Sequence, residues 1–244
     1  MTDNDHDIII RPRRGRKEKA LPERALLVVN HAEAGLAMTV ARRIGAAHRH
    51  LAHADLMVDR HDRFCLAGPA LGAPAAVLLM EKLVALGVRR LVLLSCCGSL
   101  DPSLRIGDIL LAERAVVGDG VSRWYGTADQ ISANPETLAA SEQTLSVHGM
   151  FSRRGVLWST DAPYRERRSE LMLLREQFGV AGVDMECSAL YTLAAYRSVA
   201  LAALFIVSDE LWTARWRPGF GTDAFRRQSR LVLDTLLGDG LAAV

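Results

Sequence analysis

The chain alternates short apolar runs with amphipathic stretches, and this alternation restricts its possible folds more than any other feature. Three runs have the length of buried strands: residues 25–29, 91–94 and 200–207. Three of the intervening stretches have apolar residues at helical spacing: residues 34–44, 75–86 and 187–196. Strands that alternate with helices along a chain predict an α/β layer fold.

The chain has no internal repeat, and its charge is unevenly distributed. Residues 11–19 carry six basic side chains and one acid, although the net charge of the whole chain is only +2. We therefore divide it into a basic N-terminal arm, residues 1–24, and one α/β domain, residues 25–244. We expect the arm to be a solvated tail or a strap across a neighbouring subunit. No nucleic-acid partner is expected, because no known nucleic-acid-binding motif follows the arm.

Composition places the chain among globular proteins, with 50% apolar and 24% charged residues. Its most apolar stretch, residues 199–208, is shorter than the roughly 20 residues that span a bilayer. Charged residues near the N-terminus argue against a signal peptide. These features predict a cytoplasmic protein without a membrane partner. We expect the four cysteines, at positions 65, 96, 97 and 187, to be buried thiols that bind no metal.

Polar or reactive residues lie at the ends of three predicted strands, at residues 91–94, 182–184 and 200–207. Strand ends are where α/β folds place their ligand sites. The first group is the small-residue turn around Cys96 and Gly98, whose backbone N–H groups can hold an anion or a sugar oxygen. Small residues at such a turn also allow close packing of a helix on the sheet. This group alone does not distinguish a binding site from a packing contact.

The other two groups are acidic. Asp184, Met185 and Glu186 precede a predicted helix, so the two carboxylates either grip the hydroxyls of a ribose or cap that helix. Asp209 follows the most apolar strand, a position that suits a proton donor and also suits a helix cap.

Five motifs occur in the order GPxxGxP, CGSLx₆GD, GxSxxY, DMExSAL and VSDE. In this combination, which covers residues 60–210, the chain resembles the purine nucleoside phosphorylase and uridine phosphorylase family. The resemblance implies a three-layer α/β/α domain around a mixed, barrel-like sheet. It also implies cleavage of the N-glycosidic bond of a nucleoside, with phosphate or water as the acceptor and no cofactor other than phosphate as co-substrate.

Members of the family form dimers, trimers or hexamers, so the resemblance also implies a homo-oligomer in which a neighbouring subunit often completes each site. It implies further that Met185 packs on the sugar and that Glu186 accepts hydrogen bonds from the sugar hydroxyls. By the same resemblance, Asp209 protonates the departing purine at N7. Tyr164 falls where the family has an aromatic residue beside the base.

The chain departs from the family at the phosphate site. Phosphorylases of the family have a Gly-Asp-Pro-x-Arg loop after the first strand, where this chain has Asn30, His31, Ala32 and Glu33. A second phosphate-binding arginine is replaced by Leu93, and the usual Ser or Thr of the turn by Cys96. Two cationic ligands are therefore missing, and the Glu33 carboxylate would repel a phosphate dianion.

We predict a nucleoside phosphorylase with an altered phosphate pocket. A purine-like base is favoured over uracil, because residues 165–168 lack the Gln of uridine-specific members and because a pyrimidine has no N7 for Asp209 to protonate. The first alternative is a nucleosidase in which Glu33 or Glu186 activates water. The second alternative is a non-catalytic nucleoside-binding protein.

Overall fold

The computed structural model describes residues 7–51, 53–213 and 215–244. In this part of the chain eleven strands form one mixed sheet, and ten of them follow the order β11-β10-β6-β8-β9-β5-β1-β4-β3-β2. The strands are β1 Arg24–Val28, β2 Ala47–His50, β3 Asp55–Val58, β4 Cys65–Gly68, β5 Arg90–Ser99, β6 Ile109–Gly118, β7 Gln130–Ser132, β8 Ser152–Thr160, β9 Val180–Asp184, β10 Ala200–Glu210 and β11 Arg217–Pro218. The remaining strand, β7, pairs with β6.

Part of the sheet closes on itself. β10 pairs with β5 as well as with β6, so β5, β10, β6, β8 and β9 form a closed five-stranded barrel. Parallel and antiparallel pairs occur in the same barrel, because β5 runs parallel to β10 and antiparallel to β9. The predicted α/β fold with a mixed, barrel-like sheet is confirmed.

Helices pack around this sheet: α1 His31–Arg43, α2 Ala73–Leu86, α3 Pro135–Val147, α4 Arg168–Phe178, α5 Cys187–Arg197, α6 Asp223–Thr235 and α7 Leu241–Ala243. Several of these helices have a polar side chain as N-terminal cap. At the start of α1, for example, the Asn30 side chain accepts a hydrogen bond from the backbone N–H of Ala32. The sequence predicts a last helix over residues 223–237; α6 ends two residues earlier, at Thr235, and a π-helical turn follows at Leu236–Gly240.

Several strands differ from their predicted extents. β5 and β10 continue beyond their apolar runs, to Ser99 and Glu210, because pairing with each other satisfies the backbone of these polar ends. The predicted strands at residues 109–112 and 115–117 form one strand, β6. Its register against β8 shifts between Ala112 and Arg114. The sequence analysis did not find β2 and β3, because β2 is mostly exposed and has no apolar pattern.

Residues 7–20 of the N-terminal arm are exposed, whereas Leu21 packs in the core and Arg24 begins β1. Lys82 on α2 contacts the exposed part through the Arg13 carbonyl and the Glu18 carboxylate. Within the described residues, no helix has both the length and the apolar character needed to cross a bilayer.

Candidate active site

One cavity of about 820 Å³ opens at the ends of β5, β9 and β10. The three polar groups that follow predicted strands all meet there, because the carboxyl ends of the parallel strands β5 and β10 lie at the same edge of the sheet. Eight of the ten predicted site residues line this cavity: Asn30, Cys96, Gly98, Tyr164, Asp184, Met185, Glu186 and Asp209. His31 and Glu33 do not line it.

Glu186 is held at one end of the cavity by the loop that precedes α2. Its Oε1 accepts a hydrogen bond of 2.6 Å from the backbone N–H of Gly72. That loop passes close to β1 at Gly68, where a Cβ atom would lie 2.0 Å from the Val28 carbonyl oxygen, so only glycine fits. Burial and the nearby Asp184 charge raise the pKa of Glu186.

Asp184 lines the cavity, and its carboxylate accepts three hydrogen bonds from within the protein. Its Oδ1 accepts from the Ser159 hydroxyl at 2.5 Å, and its Oδ2 accepts from the backbone N–H groups of Glu186 and Cys187 at 2.8 and 2.6 Å. The carboxylate thus caps α5 and ties it to β8. These bonds correspond to the capping alternative for Asp184, and its sugar contact stays a prediction, whereas the Glu186 side chain makes no cap.

Cys96 and Asn30 line the cavity near Glu186. The Asn30 Nδ2 group donates to the Cys96 sulfur at 3.2 Å. Burial, followed by the charges of Glu33 and Glu186, raises the pKa of the Cys96 thiol to about 12. The thiol is therefore neutral near pH 7 and does not act as a nucleophile.

Glu33 lies in the first turn of α1, beside Cys96. It is only 6% exposed, and its Oε2 has no hydrogen-bond partner among the described residues. Burial raises its pKa above the ordinary value of 4.5. A buried carboxyl oxygen without a partner is energetically costly, so it marks a functional position. The neighbouring His31 is exposed.

Positive charge lies elsewhere in the cavity. Among the described residues that line it, the cations are Arg168 and Arg175, and both belong to α4. Arg168 donates to the Thr213 carbonyl, and the charge of Arg175 acts on Asp101.

Asp209 lies in the middle of the cavity, paired in register with Gly98 of β5. Its Oδ1 accepts from the Ser208 hydroxyl at 2.7 Å, and its Oδ2 accepts from the Trp216 indole at 2.8 Å. A Cβ on residue 98 would come within 3.0 Å of Asp209 Oδ2 and 2.8 Å of a Leu211 methyl group. Glycine is needed at position 98 so that the acid can approach the sheet this closely.

Glu166 is a second acid at this end of the cavity, and the sequence analysis did not assign it a role. It directly follows the short 3₁₀ helix Pro163–Arg165. Burial, and then the charge of Asp209, raise its pKa to about 7. Its position after an irregular loop gives no periodic signal, so only the three-dimensional structure brings it to Asp209. The sequence predicts Trp216 to be part of a lid or a packed cover, and in the structure its indole donates to Asp209.

The two remaining predicted residues differ in their surroundings. Met185 lies between the two acids of its motif, at the end of β9, and lines the cavity beside Glu186. Tyr164 lines the mouth of the cavity and is fully exposed, so in this chain it stands at the rim.

The closed mixed barrel thus brings the carboxyl groups of Glu186 and Asp209 to one cavity. The model of the phosphorylase superfamily matches residues 20–236, and the chain belongs to this superfamily. It is an enzyme of the group that includes the nucleoside phosphorylases and nucleosidases.

Curated and solved relatives agree with this assignment. A DeoD-type purine nucleoside phosphorylase from Caldanaerobacter subterraneus subsp. tengcongensis is 31% identical over 173 residues, which cover 70% of this chain and 72% of the relative. The purine nucleoside phosphorylase of Toxoplasma gondii, solved with immucillin-H, aligns over 91% of both chains with a TM-score of 0.78 and 18% identity. The 5'-methylthioadenosine/S-adenosyl homocysteine nucleosidase of Campylobacter jejuni aligns over 88% of this chain and 97% of its own, with a TM-score of 0.74 and 14% identity.

Proposed function

We propose that this enzyme is a purine nucleosidase, which cleaves the N-glycosidic bond with water as the acceptor. One observation carries the choice of water: the unpartnered, buried Oε2 of Glu33 lies beside Cys96, where phosphorolysis requires cations. A carboxyl oxygen accepts a hydrogen bond from water and repels a phosphate dianion.

In this mechanism the chain supplies three groups. Glu186 accepts hydrogen bonds from the sugar hydroxyls, and Met185 packs on the sugar. As the bond between C1′ and N9 breaks, its electron pair moves onto the purine, and Asp209 donates a proton to N7. Water forms the new bond to C1′. Because Glu33 lies outside the cavity lining, the proton of that water passes to the Glu33 carboxylate through an intervening water molecule. Exchange with solvent returns Asp209 and Glu33 to their starting states.

Phosphorolysis, the function that we expected from the sequence, is the second candidate. It is supported by the curated relatives, which are named purine nucleoside phosphorylases. For this chain it requires cations other than the two missing arginines, for example from a neighbouring subunit of a homo-oligomer.

The experiment that tests the proposal is a panel of purine and pyrimidine nucleosides incubated with the purified protein, with and without phosphate. We expect purine release and free sugar at rates that do not depend on phosphate. Release that requires phosphate and yields sugar 1-phosphate would overturn the choice of water and support the second candidate. Binding without any base release would instead favour a non-catalytic protein.

Glu166 should make the choice of purine depend on pH. Its carboxyl group is protonated below about pH 7 and charged above it. The protonated form donates to the N1 acceptor of a 6-aminopurine, whereas the carboxylate accepts from the N1–H of a 6-oxopurine. We expect kcat/KM for inosine, relative to adenosine, to rise at least about threefold between pH 6 and pH 8.

The Glu166→Gln variant is the matched control for this profile. An amide does not titrate, and Asp209, Arg168 and Arg175 remain in place around it, so the variant should show a flat ratio. If the wild-type protein and the variant have the same profile, Glu166 does not read the base.

A further inference from the structure

The cavity is longer than the part that the sugar and the acid occupy. Its lining follows β5 from Cys96, through Gly98, to Leu100, the residue after this strand. Four residues of extended chain span about 13 Å. Asp209 pairs in register with Gly98, so the acid lies midway along this path. In the proposed function the sugar lies at the Cys96 end and the base lies beside Asp209. A third compartment of the cavity extends past Asp209 towards Leu100.

Part of this compartment is apolar, although Arg168 and Arg175 of α4 also line the cavity. Leu171 of α4 packs in one cluster with Leu100 and Val183, and the neighbouring Met172 continues the same lining. Met172 lines this cavity, and its side chain is 56% exposed. Exposed apolar side chains that line a cavity are a common mark of a ligand site.

The volume also exceeds what a plain nucleoside needs. Ligand pockets range from about 300 to 1,000 Å³, and a nucleoside is at the small end of the molecules they hold. This cavity of about 820 Å³ therefore has space beyond the purine. In a purine, the atoms farthest from N9 are those around C6 and N1. A substituent there points away from the sugar, towards Leu100 and α4.

We propose that the α4 side of the cavity is a subsite for an apolar substituent on the base, so that the substrate class is purine nucleosides substituted at the 6-position. This inference rests on the proposed cleavage of purine nucleosides. Burial of a benzyl group against Leu100, Leu171 and Met172 should raise kcat/KM by at least about tenfold, since each buried methylene contributes about fourfold.

The test compares adenosine with N6-benzyladenosine in the wild-type protein and in two variants of α4. Met172→Glu places a charge in the proposed subsite. Leu173→Glu places the same charge at the next position, which is 50% exposed and is not part of the cavity lining. We expect Met172→Glu to lower kcat/KM for N6-benzyladenosine about tenfold more than it lowers kcat/KM for adenosine. Leu173→Glu should leave both substrates unchanged.

The outcomes separate this inference from the proposed function. Release of adenine without any gain from the benzyl group would overturn the subsite and leave the proposed function intact. An equal loss of preference in both variants, with a lower molecular mass in light scattering, would identify this face of α4 as a contact between subunits and would also overturn it. If no nucleoside is cleaved, the proposed function fails. The subsite is then tested by the rise in the melting temperature of the protein on addition of each free base. Equal rises with adenine and N6-benzyladenine would overturn the subsite.

Discussion

Replacement of Asp209 by asparagine is expected to lower the release of purine from nucleosides by about 10²- to 10⁴-fold, the range typical of a lost general acid. Asparagine keeps the shape of the side chain and can still accept from the Ser208 hydroxyl or the Trp216 indole. It has no proton to donate to N7, so the purine must leave as an anion. Steady-state kinetics with adenosine and inosine measure this effect.

Two controls distinguish proton donation by Asp209 from its other roles. A nitrophenyl riboside releases a stable phenolate without protonation, so Asp209→Asn should cleave it at nearly the wild-type rate. Trp216→Phe removes the 2.8 Å hydrogen bond to Asp209 but retains the acid, and it should cost much less than Asp209→Asn. Equal losses on the nitrophenyl riboside and on adenosine would show that Asp209 is not the general acid.

The Glu33→Gln variant is expected to lose hydrolysis by about 10²- to 10⁴-fold, because an amide cannot take a proton from water. The same change should not lower stability. The pKa of Glu33 is raised in the folded protein, so the ionised carboxylate opposes folding once the pH exceeds its ordinary value of 4.5. The melting temperature of the variant, relative to wild type, should therefore be higher at pH 8 than at pH 5.

The neighbouring His31→Ala variant is the matched control, since His31 is exposed on the same turn of α1 and does not line the cavity. It should leave both hydrolysis and melting unchanged. A Glu33→Gln enzyme that hydrolyses nucleosides at the wild-type rate would exclude Glu33 as the base. Glu186, whose Oε1 is already bonded to Gly72, would then be the remaining candidate. A strong loss of stability would instead indicate a structural role.

Sequence reasoning placed five candidate residues at strand ends, because Cys96 and Gly98 follow one buried apolar run, Asp209 follows another, and Met185 and Glu186 precede a predicted helix. Cys96, Gly98, Met185, Glu186 and Asp209 all line one cavity. Sequence reasoning could not choose between site and cap for the two acids of the DMExSAL motif. That choice depends on backbone direction at the start of α5, where Asp184 turns towards two N–H groups and Glu186 turns towards the loop at Gly72.

Local pattern and motif order by themselves determined the family, the α/β class and most of the buried strands, because burial of apolar runs is a property of short segments. Only the tertiary structure decided the closure of the barrel, the burial of Glu33 and the meeting of Glu166 with Asp209. Glu166 and Asp209 are 43 residues apart in the sequence. Their interaction arises from desolvation and charge in a shared cavity, and these depend on how distant segments pack.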